Sequence, residues 1–380
     1  MKSSEAIAAS GREAAETDRG RVAGALSLER LARAAWWAAR FLLALFLFVG
    51  ALQLMKTGAA SLDVLQNKGA LVRNPGATLG LGWIGALFVL SGSPMAASAL
   101  TLVAADSITE IEGFTMLTGS RLGAAFVVLV VAVVYALRGG KGQRRQPVST
   151  AIMALSTTAL IYVPAAAIGF FLLRGPMSGL ELTFGAQFAD LIDLVYGPLL
   201  ARVESLPAAL VFLAGLGVLL LTFKLLDSVM PTLDEATLSS RRRGWLTRKW
   251  SMFAVGCLVA LVTMSVSVAL TVLVPLVAKR YVRREDILPY IMGANITTLG
   301  DTMLAAFALG SPAAVRIVLA EVVATSILSV ILLTFFYPQT RRLIWRFQRM
   351  VTRSKPRLAA FAAGLFLVPV STIIVSNLIV

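Results

Sequence analysis

The sequence predicts an all-α polytopic membrane protein: two inverted repeats, each with a re-entrant helical hairpin and a broken transmembrane helix, plus one extra C-terminal span. Three observations carry this reading. Hydrophobic residues make up 58% of the 380 residues and charged ones 14%, with mean hydropathy +0.82, whereas soluble domains are about a quarter charged. Several stretches supply the ~20 apolar residues that cross a bilayer core about 30 Å thick. The polar interruptions of those stretches fall in pairs at one constant interval.

Residues 1–35 are charged and Ala-rich with no apolar core, so they read as a cytoplasmic tail with a short surface helix from Leu26 rather than as a secretory signal. A first span covers 36–55, and 56–75 forms an external surface segment. The run 76–105 is long enough to cross but is broken at Ser91-Gly92-Ser93-Pro94, where proline removes a backbone donor and glycine weakens the helix. An apolar run resumes after Asp106, is interrupted at TGSRLGAA (118–125), and ends in the basic loop 138–145. Further spans are expected at 148–173, 207–230, 285–310, 313–337 and 358–379, and 250–278 is interrupted at TMSVSV (263–268).

Charge fixes the threading. Basic residues number four in 138–145, five in 241–249, four in 279–284 and seven in 341–357, whereas 174–206 holds two basic and four acidic residues. Lys and Arg are retained on the cytoplasmic side, so the first four segments face inward and the last outward. That is possible only if 76–105 and 250–278 enter and return on one side as hairpins. The resulting organisation is a cytoplasmic tail (1–35), a transmembrane repeat (36–173), an external loop (174–206), an inverted repeat (207–337), and a basic cytoplasmic segment with a last span (338–380). The expected location is the plasma (inner) membrane, with the N-terminus in the cytoplasm. The net charge of +15 is accounted for by these loops and the anionic bilayer surface, not by nucleic acid. The last span lies outside the repeat and can serve packing or a homodimer contact.

Two absences narrow the chemistry. The chain has no histidine and a single cysteine, Cys257, which excludes histidine-based zinc sites, Ser-His-Asp triads and disulfides. No cofactor and no transition metal are expected, and the chain does not read as an enzyme. The Leu-Gly-Asp at 299–301 faintly suggests an intramembrane aspartyl protease, with Asp227 the spare second carboxylate, but that leaves the repeat unexplained.

The repeat is specific. Ser91 and Ser93 precede Gly119 as Ser265 and Ser267 precede Gly293, the two sets lying 174 residues apart (91 to 265, 119 to 293). Inverted repeats with interrupted helices at matching positions mark secondary transporters. A half-helix beginning at a break offers N–H groups to an oxyanion; one ending there offers carbonyls which, with Ser, Thr and Asn oxygens, can coordinate Na⁺. The bland alternative is that Gly, Ala, Ser and Thr serve close helix packing. Arg121, Asp301, Asp227 and Glu321 stand within or near spans, where ionisable residues are expensive. Glu110, Glu112 and Asp301 are candidate partners for Arg121, Lys224 for Asp227, and Arg316 for Glu321.

GANITT (293–298), preceded by the serines of TMSVSV, resembles the glycine motif and serine motif of the sodium–phosphate cotransporter family (type II, bacterial branch). The first copy keeps Ser91, Ser93, Gly119 and Gly123. It departs in having Arg121 where the family has asparagine, Ala124 and Ala125 in place of hydroxyls, and Leu90 and Met264 in place of the family's glutamines. The resemblance implies Na⁺-coupled uptake of a small inorganic anion, first of all inorganic phosphate, bound between two hairpin tips and two broken helices. Mapped onto this chain, the substrate residues are Ser91, Ser93, Arg121, Ser265, Ser267 and Asn295, and the cation residues Asn295, Thr297, Thr298, Asp301 and Ser267. The departures keep open a channel or a non-transporting membrane protein that retains the fold.

Overall fold

The computed structural model describes residues 35–62, 69, 71–138, 145–180, 186–203, 205–229, 248–278 and 282–379, and among these every regular element is helical. The tail 1–34, with its expected surface helix, and most of the basic loops 138–145 and 241–249 lie outside the described residues. Among the described residues six helices are long and apolar enough to cross a membrane: Ala35–Ala60, Glu110–Arg138, Gln146–Arg174, Ala208–Leu225, Pro312–Thr334 and Lys355–Ile379. This is a membrane protein.

We number the helices α1 (Ala35–Ala60), α2 (Pro75–Val89), α3 (Ser93–Ala104), α4 (Glu110–Ala124), α5 (Phe126–Arg138), α6 (Arg145–Arg174), α7 (Ala186–Val203), α8 (Ala208–Val229), α9 (Lys249–Thr263), α10 (Val266–Thr271), α11 (Leu273–Ala278), α12 (Ile287–Thr297), α13 (Leu299–Ala308), α14 (Pro312–Thr334), α15 (Tyr337–Thr352) and α16 (Lys355–Ile379). One apolar core joins α1, α3, α4, α8, α13 and α14, and a second joins α5, α6 and α9 to α12. Helix α6 borders α4, α12 and α14, which puts it at the junction of the two cores. The segment expected as an external loop contains α7, whose Tyr196 hydroxyl donates to the Phe46 carbonyl of α1 at 2.7 Å.

The interruptions at 91–94 and 264–267 are real chain breaks. Helix α2 ends at Leu90 (φ 56°, ψ 24°) and α9 at Met264 (φ 44°, ψ 27°). Both are left-handed non-glycine residues, a conformation that costs roughly 1–2 kcal/mol, and they stand 174 positions apart (90 to 264). At 1.5 Å per residue the 15 residues of α2 reach about 22 Å and the 12 of α3 about 18 Å, short of a bilayer core.

The other two expected interruptions are corrected. Residues 118–123 are continuously helical inside α4, and only Ala125, still right-handed (φ −60°, ψ −18°), separates α4 from α5. Residues 293–297 are helical in α12, and only Thr298 (φ −68°, ψ −10°) separates it from α13. Neither helix is unwound. The glycines that suggested opening serve close approach: a Cβ on Gly119 would collide with the Leu79 carbonyl of α2, and one on Gly123 with the Trp83 carbonyl. The same contact recurs 174 residues later, Gly293 against the Phe253 carbonyl of α9. The reciprocal contacts, Gly82 on Met116 and Gly256 on Tyr290, keep that interval too.

Valine at Gly82 or Gly256 should therefore push α2 from α4, or α9 from α12, and destabilise the protein by about 1–3 kcal/mol. Alanine at Gly217 or Gly364, helix-interior positions where nothing lies within 4 Å, should leave the packing intact and raise stability by up to about 1 kcal/mol. Thermal melts of the purified variants check both expectations.

Candidate functional site

The middle of the bundle gathers polar side chains that four segments of the chain bring in at helical spacing. Helix α4 starts from a capping box, Thr109 Oγ1 accepting from the Glu112 N–H at 3.3 Å and Glu112 Oε2 from the Thr109 N–H at 2.7 Å. That use of Glu112 fixes the helix start. Glu110 pairs with Arg316 of α14. Thus neither acid partners Arg121, and Arg316 is not the partner of Glu321. Two and three turns further along, Thr118 and Arg121 lie on one face of α4, three residues apart.

Arg121 is 1% exposed. Its Nη2 donates to Thr302 Oγ1 and stands 3.6 Å from Asp301 Oδ1, both on α13. Thr302 also donates to Asp301 Oδ1 at 2.8 Å. Among the described residues, three buried atoms around this pair have no hydrogen-bond partner: Arg121 Nε, Arg121 Nη1 and Asp301 Oδ2. Leaving a buried donor unsatisfied costs about 1–3 kcal/mol, more for a charged group. A guanidinium with two idle nitrogens still has N–H groups to donate to an oxyanion.

Glu321 of α14 is completely buried, with Thr118 Oγ1 at 3.2 and 3.0 Å from its two carboxylate oxygens. Thr118 Oγ1 is also 3.0 Å from the Phe114 carbonyl. One hydroxyl hydrogen cannot serve both acceptors. From α6, Tyr162 donates to the Asn295 carbonyl at 2.8 Å, and Thr158 Oγ1 accepts from Asn295 Nδ2 at 3.1 Å. The Tyr162 hydroxyl is within electrostatic range of Arg121, Glu321 and Asp301. The cluster therefore has one fixed cation, two carboxyl groups and a surrounding shell of hydroxyls.

The predicted residues divide. Arg121 and Asp301 meet directly, and Asn295 and Thr298 are joined to their surroundings through Tyr162 and α6, Thr298 Oγ1 donating to the Asn295 carbonyl at 3.2 Å. Thr297 Oγ1 donates to the Gly293 carbonyl at 3.1 Å, which leaves lone pairs on both threonine oxygens for a cation. Ser91 and Ser93 flank Gly92 at the break between α2 and α3, which lies against the Ser120 carbonyl and Ala124 of α4. Among the described residues no hydrogen bond joins either serine to Arg121. Ser265 caps α10 by accepting from the Val268 N–H at 3.4 Å, a structural use. The side chains of Ser267 and Asp227 lie outside the described residues. Sequence reasoning missed Thr118, Thr158, Tyr162 and Thr302. The signal for two of them was present but diluted: Thr158 and Tyr162 stand one helical turn apart in an expected span that also carries Ser149, Thr150, Ser156 and Thr157.

No protein-family model, no curated protein and no solved structure matches this chain.

If Asp301 balances Arg121, Asp301→Ala alone leaves a buried guanidinium unpaired and should cost about 3–5 kcal/mol of stability. The double variant Arg121→Met, Asp301→Leu should recover most of it. Thermal unfolding of the single and double variants separates this coupling from a simple packing loss, for which the two changes would add.

Proposed function

We propose that this protein is a secondary active transporter that couples the movement of Na⁺ to that of a small oxyanion, inorganic phosphate being the first substrate to test. The single observation that carries the reading is the buried Arg121 guanidinium, with two nitrogens unpartnered where side chains of α4, α6, α13 and α14 converge. The oxyanion would bind on those nitrogens. Asp301 Oδ2 and the hydroxyl oxygens of Thr297 and Thr298 are the oxygens available to a cation. Oxygen ligands suit a hard monovalent ion.

The wider architecture supports the same reading. Two short-armed hairpins with left-handed breaks, and two close helix pairs, recur at one 174-residue interval, as inverted repeats with re-entrant hairpins would require. On this proposal the protein lies in the plasma (inner) membrane with a cytoplasmic N-terminus, and one helix pair moves against the other to change access to the site. The likeness of GANITT to the sodium–phosphate cotransporter family agrees with it.

A second reading of the coupling ion has its own observation. The hydrogen that Thr118 cannot supply to both Phe114 and Glu321 is supplied if the Glu321 carboxyl is protonated and donates to Thr118. The coupling ion is then a proton that Glu321 releases when access changes, with Arg121 and Tyr162 the charged and titratable groups facing it from α4 and α6.

Radiolabelled phosphate uptake into vesicles reconstituted with the full chain tests both. An inward Na⁺ gradient should drive saturable uptake, and Arg121→Ala should raise the half-saturating phosphate concentration at least tenfold, equivalent to about 1.4 kcal/mol, without altering Na⁺ dependence. Uptake driven by a pH gradient and lost in Glu321→Gln would select the proton. Absence of uptake under either gradient would dismiss the transporter reading in favour of a channel or scaffold.

A further inference from the structure

The region between the last two long spans carries a second feature, separate from the Arg121 cluster. Helix α15 runs from Tyr337 to Thr352 between α14 and α16, and packs on α6 and α16. At 100° per residue its surface divides into three strips. Thr340, Ile344, Gln348 and Val351 form the buried strip against the bundle. Arg342, Arg346 and Arg349 follow one another at intervals of four and three residues along a second strip, with Arg341 and Trp345 beside them. Leu343 and Met350, 54% and 50% exposed, form a third, apolar strip along the other edge of the arginines.

Arg341, Arg342, Trp345, Arg346 and Arg349 line an open, solvent-facing cavity of about 270 Å³ between their side chains. The Trp345 indole N–H is buried without a partner, and the Arg349 guanidinium stacks over the same ring at 5.2 Å. No acidic residue occurs anywhere between Glu321 and Val380, so no carboxylate of this stretch of chain neutralises Arg342, Arg346 or Arg349.

We propose that this cavity binds the phosphodiester headgroup of an anionic phospholipid. Arg342, Arg346 and Arg349 supply the charge and paired N–H groups that phosphate oxygens take, and the Trp345 N–H supplies one more donor. Free phosphate would use those groups equally well but has no use for Leu343 and Met350. A phospholipid does: its acyl chains lie on that exposed apolar strip and on α16, whose apolar window is only 6% buried. The position fits as well, because a helix linking two membrane-crossing helices sits at headgroup depth. The site fixes a lipid at the end of α14, the helix that carries Glu321 and Arg316.

The test uses the full chain in mixed vesicles of phosphatidylglycerol and phosphatidylcholine, extracted gently and weighed intact with its retained lipid by native mass spectrometry. Preferential retention of phosphatidylglycerol is expected. It should fall about fivefold for Arg346→Gln alone and on the order of a hundredfold for Arg342→Gln, Arg346→Gln, Arg349→Gln together. If the triple variant does not fold, Trp345→Phe, which keeps every charge, decides by a severalfold loss. Excess inorganic phosphate should leave the lipid in place. Equal retention of the two lipids, or undiminished retention in Arg346→Gln and Trp345→Phe, overturns the proposal. Displacement by inorganic phosphate overturns it in favour of a free-anion site.

Discussion

Arg121 holds a positive charge that deprotonation cannot remove, in a place where it is 1% exposed. Solvation must come from the protein or from what the protein binds. The surrounding helices are arranged to meet that demand in part. Helix α13 brings Asp301 and Thr302 to one nitrogen, α4 and α14 hold Glu321 nearby through Thr118, and α6 places Tyr162 within electrostatic range of all three charged groups. Yet two nitrogens and one carboxylate oxygen remain unpartnered. A purely structural ion pair in this position would be expected to saturate its hydrogen bonds, because an unsatisfied network is less stable than an apolar core. On the transport proposal, that shortfall is where a substrate would bind.

The glycine contacts hold the helices close enough for that cluster to form. Where Gly119 and Gly123 meet the carbonyls of α2, the backbone of α4 approaches its neighbour without side chains between them. Two residues separate Arg121 from each of these contacts, so the depth of the guanidinium follows from the register of α4 on α2. In the second half Gly293 is held against α9 in the same way, and Asn295, two residues on, is secured by Tyr162 and Thr158. Arg121 and Asn295 occupy corresponding positions, 174 residues apart. One projects a charge and the other an amide.

The membrane spans were legible because apolar length and basic flanks depend on composition alone. The helix break at Leu90 was legible too, because Ser-Gly-Ser-Pro interrupts an apolar run in a way few other structures require. The glycines of TGSRLGAA were read as openings of the helix, because a glycine that weakens a helix and one that admits a neighbouring backbone look the same in sequence. Only the facing carbonyl of Leu79 or Trp83 distinguishes them. The partner of Arg121 was likewise hidden among Glu110, Glu112 and Asp301. The Thr109-x-x-Glu112 capping box could have removed Glu112 from that set, whereas the pairing of Glu110 with Arg316 spans 206 positions and leaves no local trace.

The C-terminal helix breaks the equivalence of the two halves. Asn74, which caps α2, also donates to the Ser376 carbonyl at 3.2 Å and to Asn377 Oδ1 at 3.0 Å, and Gly76 and Gly80 bring α2 directly onto α16. Helix α9, the counterpart of α2, is instead fastened near its start by Lys249 to the Leu333 carbonyl of α14 at 2.8 Å. Helices α2 and α9 are thus bolted to different parts of the frame. Any displacement of α2 carries the terminal helix with it, and any displacement of α9 carries the helix bearing Glu321.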